Sequence, residues 1–167
     1  MKTILIATAL CLATLIMPVM AQAPASVKAT VKQTSNEIAL EALNHVKTIF
    51  AATATATDLE KATAAAAEVK ASTAKIVALR ALLKATPMPT VDEKKAFAQK
   101  MLQYEPQVSI IIKKMTNTLN TNSEEVNKII QPVVTGFQAK IKPTMDLLDT
   151  YYPEKEMAGY MNKLKGK

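Results

Sequence analysis

Residues Thr57 to Lys84 read TDLEKATAAAAEVKASTAKIVALRALLK, and they decide the fold class because a helical period runs through them with neither proline nor glycine. Ala62, Val69, Ile76 and Leu83 recur at heptad spacing, with Leu59, Ala66, Thr73 and Leu79 beside them on the same helical face. Thr57 followed by Glu60 is a capping-box pattern, in which each side chain satisfies a backbone N–H orphaned by the helix end. Many of the other positions are alanine, the strongest helix former, which lets a neighbouring helix approach to within a methyl group. A helix of about 28 residues spans about 42 Å and does not persist alone with such a stripe. The stretch therefore predicts partner helices of similar length.

Upstream, Val27, Val31, Ile38, Ala42, His45 and Ile49 fall on one helical line, with Ala39, Leu43, Val46 and Phe50 beside it. They predict a first helix from Ser26 to Thr53, or from near Ser35 if Thr34 and Glu37 form the cap. The Ala/Thr tract from Ala51 to Thr57 is the first turn. Thr86-Pro87-Met88-Pro89-Thr90 is the second, because two prolines remove donors and restrict the residues before them. Thr90 with Glu93 caps a third helix, whose stripe of Phe97, Met101, Tyr104, Val108, Ile111, Ile112, Met115 and Leu119 keeps its phase across Pro106.

Asn120 to Ser123 is the third turn, and Glu124 and Glu125 suit the first turn of a fourth helix. Val126, Ile130, Val133, Phe137, Ile141, Leu148 and Tyr151 mark its stripe, while Pro132, Gly136 and Pro143 kink it or divide it into two or three segments. Pro153 ends it and opens a short helix with Met157, Tyr160, Met161 and Leu164 on one side. The fold expected is all-α: an antiparallel up-down-up-down four-helix bundle with kinked third and fourth helices and a short C-terminal helix. Aromatics at 4%, no tryptophan and three glycines agree, since they disfavour hairpin-rich sheets. Counting outward from the turns places His45, Ala66, Ile110 and Pro132 near one level, with Pro106 not far from Gly136. A cavity is expected in that irregular mid-bundle zone.

The chain divides into a signal peptide, residues 1–23, and a single helical domain, 24–167. Lys2, the apolar run Ile4 to Ile16, and Ala21-Gln22-Ala23 make the three-part secretory pattern. Cleavage falls after Ala21 or Ala25, since Pro24 hinders a cut after Ala23; the rival reading is an uncleaved N-terminal anchor. A periplasmic or secreted location follows. The one cysteine, Cys11, lies inside the apolar run, so the mature domain has no disulfide and no thiolate ligand. Removing Lys2 from 21 basic side chains leaves 20 against 14 acidic, a formal charge of +6, which favours an anionic partner.

His45 is the one histidine and lacks a Glu-x-x-His motif, which argues against a carboxylate di-iron site; a haem held by His45 and Met115 is poorly matched in level. No cofactor or metal is expected. Arg80, the one arginine, is placed to pair with Asp146 if the second and fourth helices run parallel. Asp92-Glu93 and Glu124-Glu125 sit at helix starts, where negative charge is ordinary, and no nucleophile accompanies them. Lysines are scattered rather than gathered with aromatics, which argues against nucleic acid. Met157, Tyr160, Met161 and Leu164, with Lys163 and Lys165, either cap the bundle or contact a membrane or partner.

The function expected is that of an exported, non-enzymatic helical bundle of the cell envelope with a binding, chaperone-like or structural role. Its partner is an unidentified envelope protein, an anionic surface or a second copy of the chain. The alternatives are a carrier of a small apolar ligand or haem near Pro106, Pro132 and Gly136, and membrane-surface binding through the C-terminal helix.

Overall fold

The computed structural model describes residues 33–166, which form five helices: α1 Ser35–Ala54, α2 Leu59–Ala85, α3 Val91–Thr121, α4 Glu124–Tyr151 and α5 Glu154–Lys165. The described residues contain no strand, as the all-α expectation requires. The signal pattern of residues 1–23, Cys11, Val27 and Val31 lie outside the described residues.

Helix starts follow side-chain chemistry. Thr34 is extended, its hydroxyl accepts from Glu37 N at 3.3 Å, and Glu37 Oε2 accepts from Thr34 N at 2.7 Å. α1 thus takes the later of its two starts, and a single helix from Ser26 to Thr53 is corrected. Thr90 and Glu93 close the same box on α3. For α2 the expected Thr57–Glu60 box does not form: Asp58 is the cap, its carboxylate accepting from Lys61 N at 2.8 Å. Ala56, fully buried, fixes the phase of the turn one residue later than the sequence pattern implies. A carboxylate also meets the positive end of the helix better than a hydroxyl does.

Donation from the Thr34 backbone and hydroxyl holds the Glu37 carboxyl below the ordinary glutamate range, and Thr90 does the same to Glu93. A carboxyl with a depressed folded pKa contributes stability that is present above its unfolded value, about 4.3, and lost as pH falls through the lower folded value. Melting temperature is therefore expected to fall below about pH 4.3. In Glu37→Gln/Glu93→Gln, which keeps a capping side chain, the acid limb should be shallower; an unchanged limb in thermal melts would place the acid sensitivity elsewhere.

The pairing of helices is not that of a sequential ring. α1 packs on α2 and α3, α2 also on α4, and α5 on α3, whereas the consecutive pairs α2–α3 and α3–α4 are not among the extensively packed ones. Cross-helix hydrogen bonds give the directions. Asn36 donates to Glu93 O, Lys47 to Gln107, Thr118 to Ala54 O and Asn122 to Ala56 O, with sequence separations of 57, 60, 64 and 66. Partners on both helices advance together along the chain, so α1 and α3 run parallel. Thr144 to Ile76 O and Tyr151 to Leu83 O are both 68 residues apart, so α2 and α4 run parallel too. Ile38 and Ala42 of α1 instead meet Leu79 and Leu83 at the far end of α2, an antiparallel pair.

Prolines do not divide the long helices. α3 runs through Pro106, and α4 through Pro132 and Pro143, so of the two alternatives for α4, kinked or divided, division into two or three segments is excluded. A proline removes one N–H and frees the carbonyl a turn earlier. Pro106 and Pro132 are exposed and Pro143 half-buried, so they lie where water can take up the freed carbonyls.

Three buried clusters follow the axis. At one end, side chains of all five helices meet, including Ile38, Leu83, Phe97, Leu148, Met157 and Met161. In the middle, Val46 and Ile49 of α1 meet Val69 and Ile76 of α2 and Phe137 and Ile141 of α4. Beyond it, Ala62, Ala65 and Ala66 of α2 meet Val126 and Ile130 of α4. Of these clusters α3 supplies fully buried members only to the first. Ile111, Ile112 and Met115 of its predicted stripe are half-buried.

Tyrosines tie the elements together. The Tyr151 hydroxyl makes a three-centre bond to Leu83 O and Thr86 O, at 2.8 and 2.9 Å, satisfying carbonyls at the end of α2. Tyr151→Phe removes that donor while Leu83 O keeps the Thr86 N–H and hydroxyl, and is expected to cost about 0.5–1.5 kcal/mol in urea unfolding; no measurable loss would mean that water replaces the hydroxyl. Tyr104 donates to Leu43 O, and burial pushes its hydroxyl well above the ordinary tyrosine value.

Candidate functional site

The C-terminal residues singled out by sequence are largely occupied within the fold. α5 begins after Pro153 and lays Met157 and Met161 into the end cluster, with Tyr160 and Leu164 half-buried at its margin. The Lys94 ammonium meets Glu156 at 2.7 Å, fastening α5 to α3, and Tyr160, one turn along α5, donates to the same carboxylate at 2.9 Å. Lys94 and Tyr160 together hold the Glu156 carboxyl below its ordinary range. Lys163 and Lys165 are exposed, the latter 3.9 Å from Glu105. Met157 and Met161 are therefore turned into the bundle end, as the capping reading of this helix has it rather than the membrane or partner contact offered beside it, because the end cluster needs a fifth wall.

Arg80 and Asp146 are not brought together as an ion pair. Asp146 takes Lys142, one turn earlier on α4, at 2.9 Å, while Arg80 Nε is buried without a hydrogen-bond partner among the described residues. The parallel run of α2 and α4 on which the pairing was premised does hold. It fails locally, because an i,i+4 lysine reaches the carboxylate at less conformational cost. His45 is half-buried on α1. No group of three or more His, Cys, Asp or Glu side chains among the described residues is arranged to hold a metal ion.

Among the described residues, a groove of about 620 Å³ lies between α2 and α4. Ala74 and Val77 of α2 and Val133 and Phe137 of α4 form its apolar surface, and Pro132 and Gly136 contribute on α4. A Cβ built at Gly136 meets nothing within 4 Å, so the missing side chain is open space rather than a packing requirement. Lys70 and Lys140 are the charged side chains lining the groove, and neither is in an ion pair among the described residues.

The cavity expected in the middle of α3 and α4 is met only in part: an open groove lies beside Pro132 and Gly136, but its other wall is α2, and neither Pro106 nor His45 lines it. Sequence reading missed Val77, Lys70 and Lys140. The signal available was Pro132 one turn before Gly136, opposite an alanine-rich helix; the register that brings Lys140 to Lys70 depends on the parallel packing of α2 and α4. No described helix is long and apolar enough to cross a membrane. No protein-family model matches the chain, and no curated protein or solved structure matches it significantly.

Proposed function

We propose that the protein is an exported, non-enzymatic component of the cell envelope, whose four long helices act as one up-down-up-down bundle with a binding, chaperone-like or structural role. The observation that carries this reading is the N-terminal pattern of Lys2, the apolar run Ile4 to Ile16 and Ala21-Gln22-Ala23. Apolar side chains left exposed on two helices, Ile110 at 70% and Val77 at 44%, support action through contacts. The formal charge of +6 after loss of Lys2 favours an acidic envelope protein or an anionic surface. Fractionation followed by denaturing mass measurement tests it. A chain beginning at Gln22 or Ser26 outside the inner membrane is expected; a chain that keeps Met1 and stays in the membrane pellet would make residues 1–23 an anchor instead.

A second reading, a carrier of a small apolar ligand, is favoured by the groove beside Pro132 and Gly136. At about 620 Å³ it falls within the roughly 300–1,000 Å³ of small-molecule sites. Haem is not part of this reading, since His45 is not among the residues of the groove.

A further inference from the structure

We infer that the groove between α2 and α4 binds a single-chain anionic amphiphile, a long-chain carboxylate, with its chain along Phe137, Gly136 and Val133 and its head between Lys70 and Lys140. The inference rests on the carrier reading and gives it a ligand class; it does not depend on export.

Three features of the site point to this chemistry. The first is the placement of the two lysines. With α2 and α4 parallel and residues 68 apart facing each other, Lys140 stands at the level of Ser72, so the two ammonium groups approach one zone of the groove from opposite walls. The second is the lack of competing carboxylates. Glu68, one turn from Ser72, accepts from its hydroxyl at 3.0 Å and does not line the groove, and Asp146 is taken by Lys142. Two like charges over an apolar floor repel each other and are relieved by an anion. The third is space. A Cβ at Gly136 would meet nothing within 4 Å, so the trough beside Val133 and Phe137 is open space. A neutral oil would leave the ammonium groups uncompensated, and a small inorganic anion would leave the apolar floor wet. An acyl chain carrying a carboxylate satisfies both.

The test uses displacement of fluorescent cis-parinarate from the full-length protein by oleate and by oleyl alcohol, its uncharged counterpart. Oleate is expected to displace the probe at least about tenfold more effectively than the alcohol. Lys70→Glu/Lys140→Glu, at exposed positions, should weaken oleate by about tenfold or more while changing the alcohol little. Gly136→Leu should weaken both ligands by about tenfold, with a melting temperature no lower than wild type, because the new Cβ meets nothing and leucine is the better helix former. Equal displacement by oleate and the alcohol, insensitive to the lysine reversal, would overturn the anionic class and leave the carrier reading standing. Displacement by neither ligand would overturn both. Sedimentation with phosphatidylglycerol vesicles without oleate binding would make the lysines a membrane contact and overturn the proposal.

Discussion

Phe97→Ala is expected to lower unfolding free energy by about 3–5 kcal/mol, among the largest losses available from one side chain. Phe97 is buried where all five helices meet, and its ring stacks on Tyr152 with centroids 4.2 Å apart and planes at 28°. Such a pair adds about 0.5–1.5 kcal/mol beyond area burial. Tyr152 in turn donates to Asn36 Oδ1 at 2.6 Å, and Asn36 Nδ2 donates to Glu93 O at 2.9 Å. The ring therefore backs a polar chain linking α4, α1 and α3, and its removal admits water to that chain as well as leaving a cavity. Burial raises the Tyr152 hydroxyl to about 12. A raised folded pKa contributes stability that is present below the unfolded value, about 10, and lost as pH rises through the folded one. In Phe97→Ala an alkaline absorbance titration should show this tyrosine ionising nearer its ordinary value, while urea unfolding shows the loss. A loss below about 1 kcal/mol with an unmoved titration would mean that neighbouring side chains close the gap.

What the sequence carried was whatever local chemistry decides. The α3 cap was legible because Thr90 and Glu93 need no distant partner, and the persistence of α3 through Pro106 was legible because its apolar phase continues on both sides. The stripe of α2 was nearly complete, from Ala62 to Leu83. Neighbour order was not legible. Alternating helices of equal length admit a ring in which consecutive helices touch, but also the observed order with α1 against α3 and α2 against α4, and the choice lies in how side chains fit. The same gap hid the lysine pair at the groove, since Lys70 and Lys140 are related by packing and by no local period. The groove itself was half legible: Pro132 and Gly136 marked an irregular zone, but which neighbouring helix they faced depended on that order. The tail from Pro153 onward was legible as an amphipathic helix, and its apolar side faces the end cluster because α1–α4 leave Ile38, Leu83 and Phe97 in need of cover.

Leu83→Ala should cost about 2–5 kcal/mol, whereas Leu59→Ala, on the same predicted stripe, should change stability by no more than about 0.5 kcal/mol. The two substitutions have the same chemistry and nearly the same effect on helix propensity, so the difference isolates tertiary packing. Leu83 is fully enclosed in the cluster shared by all five helices, and its own carbonyl accepts from Tyr151 at 2.8 Å, which limits how far the backbone can relax into the space left behind. Leu59 is 49% exposed in the first turn of α2, where Asp58 rather than apolar contact sets the helix start. Urea titrations of both variants, read at a common m-value, give the comparison. If Leu59→Ala proved as costly as Leu83→Ala, the start of α2 would have to be covered by something other than residues 33–166. A concentration series would then tell a second copy of the chain, whose loss makes the midpoint depend on protein concentration, from an intrachain contact, whose loss does not.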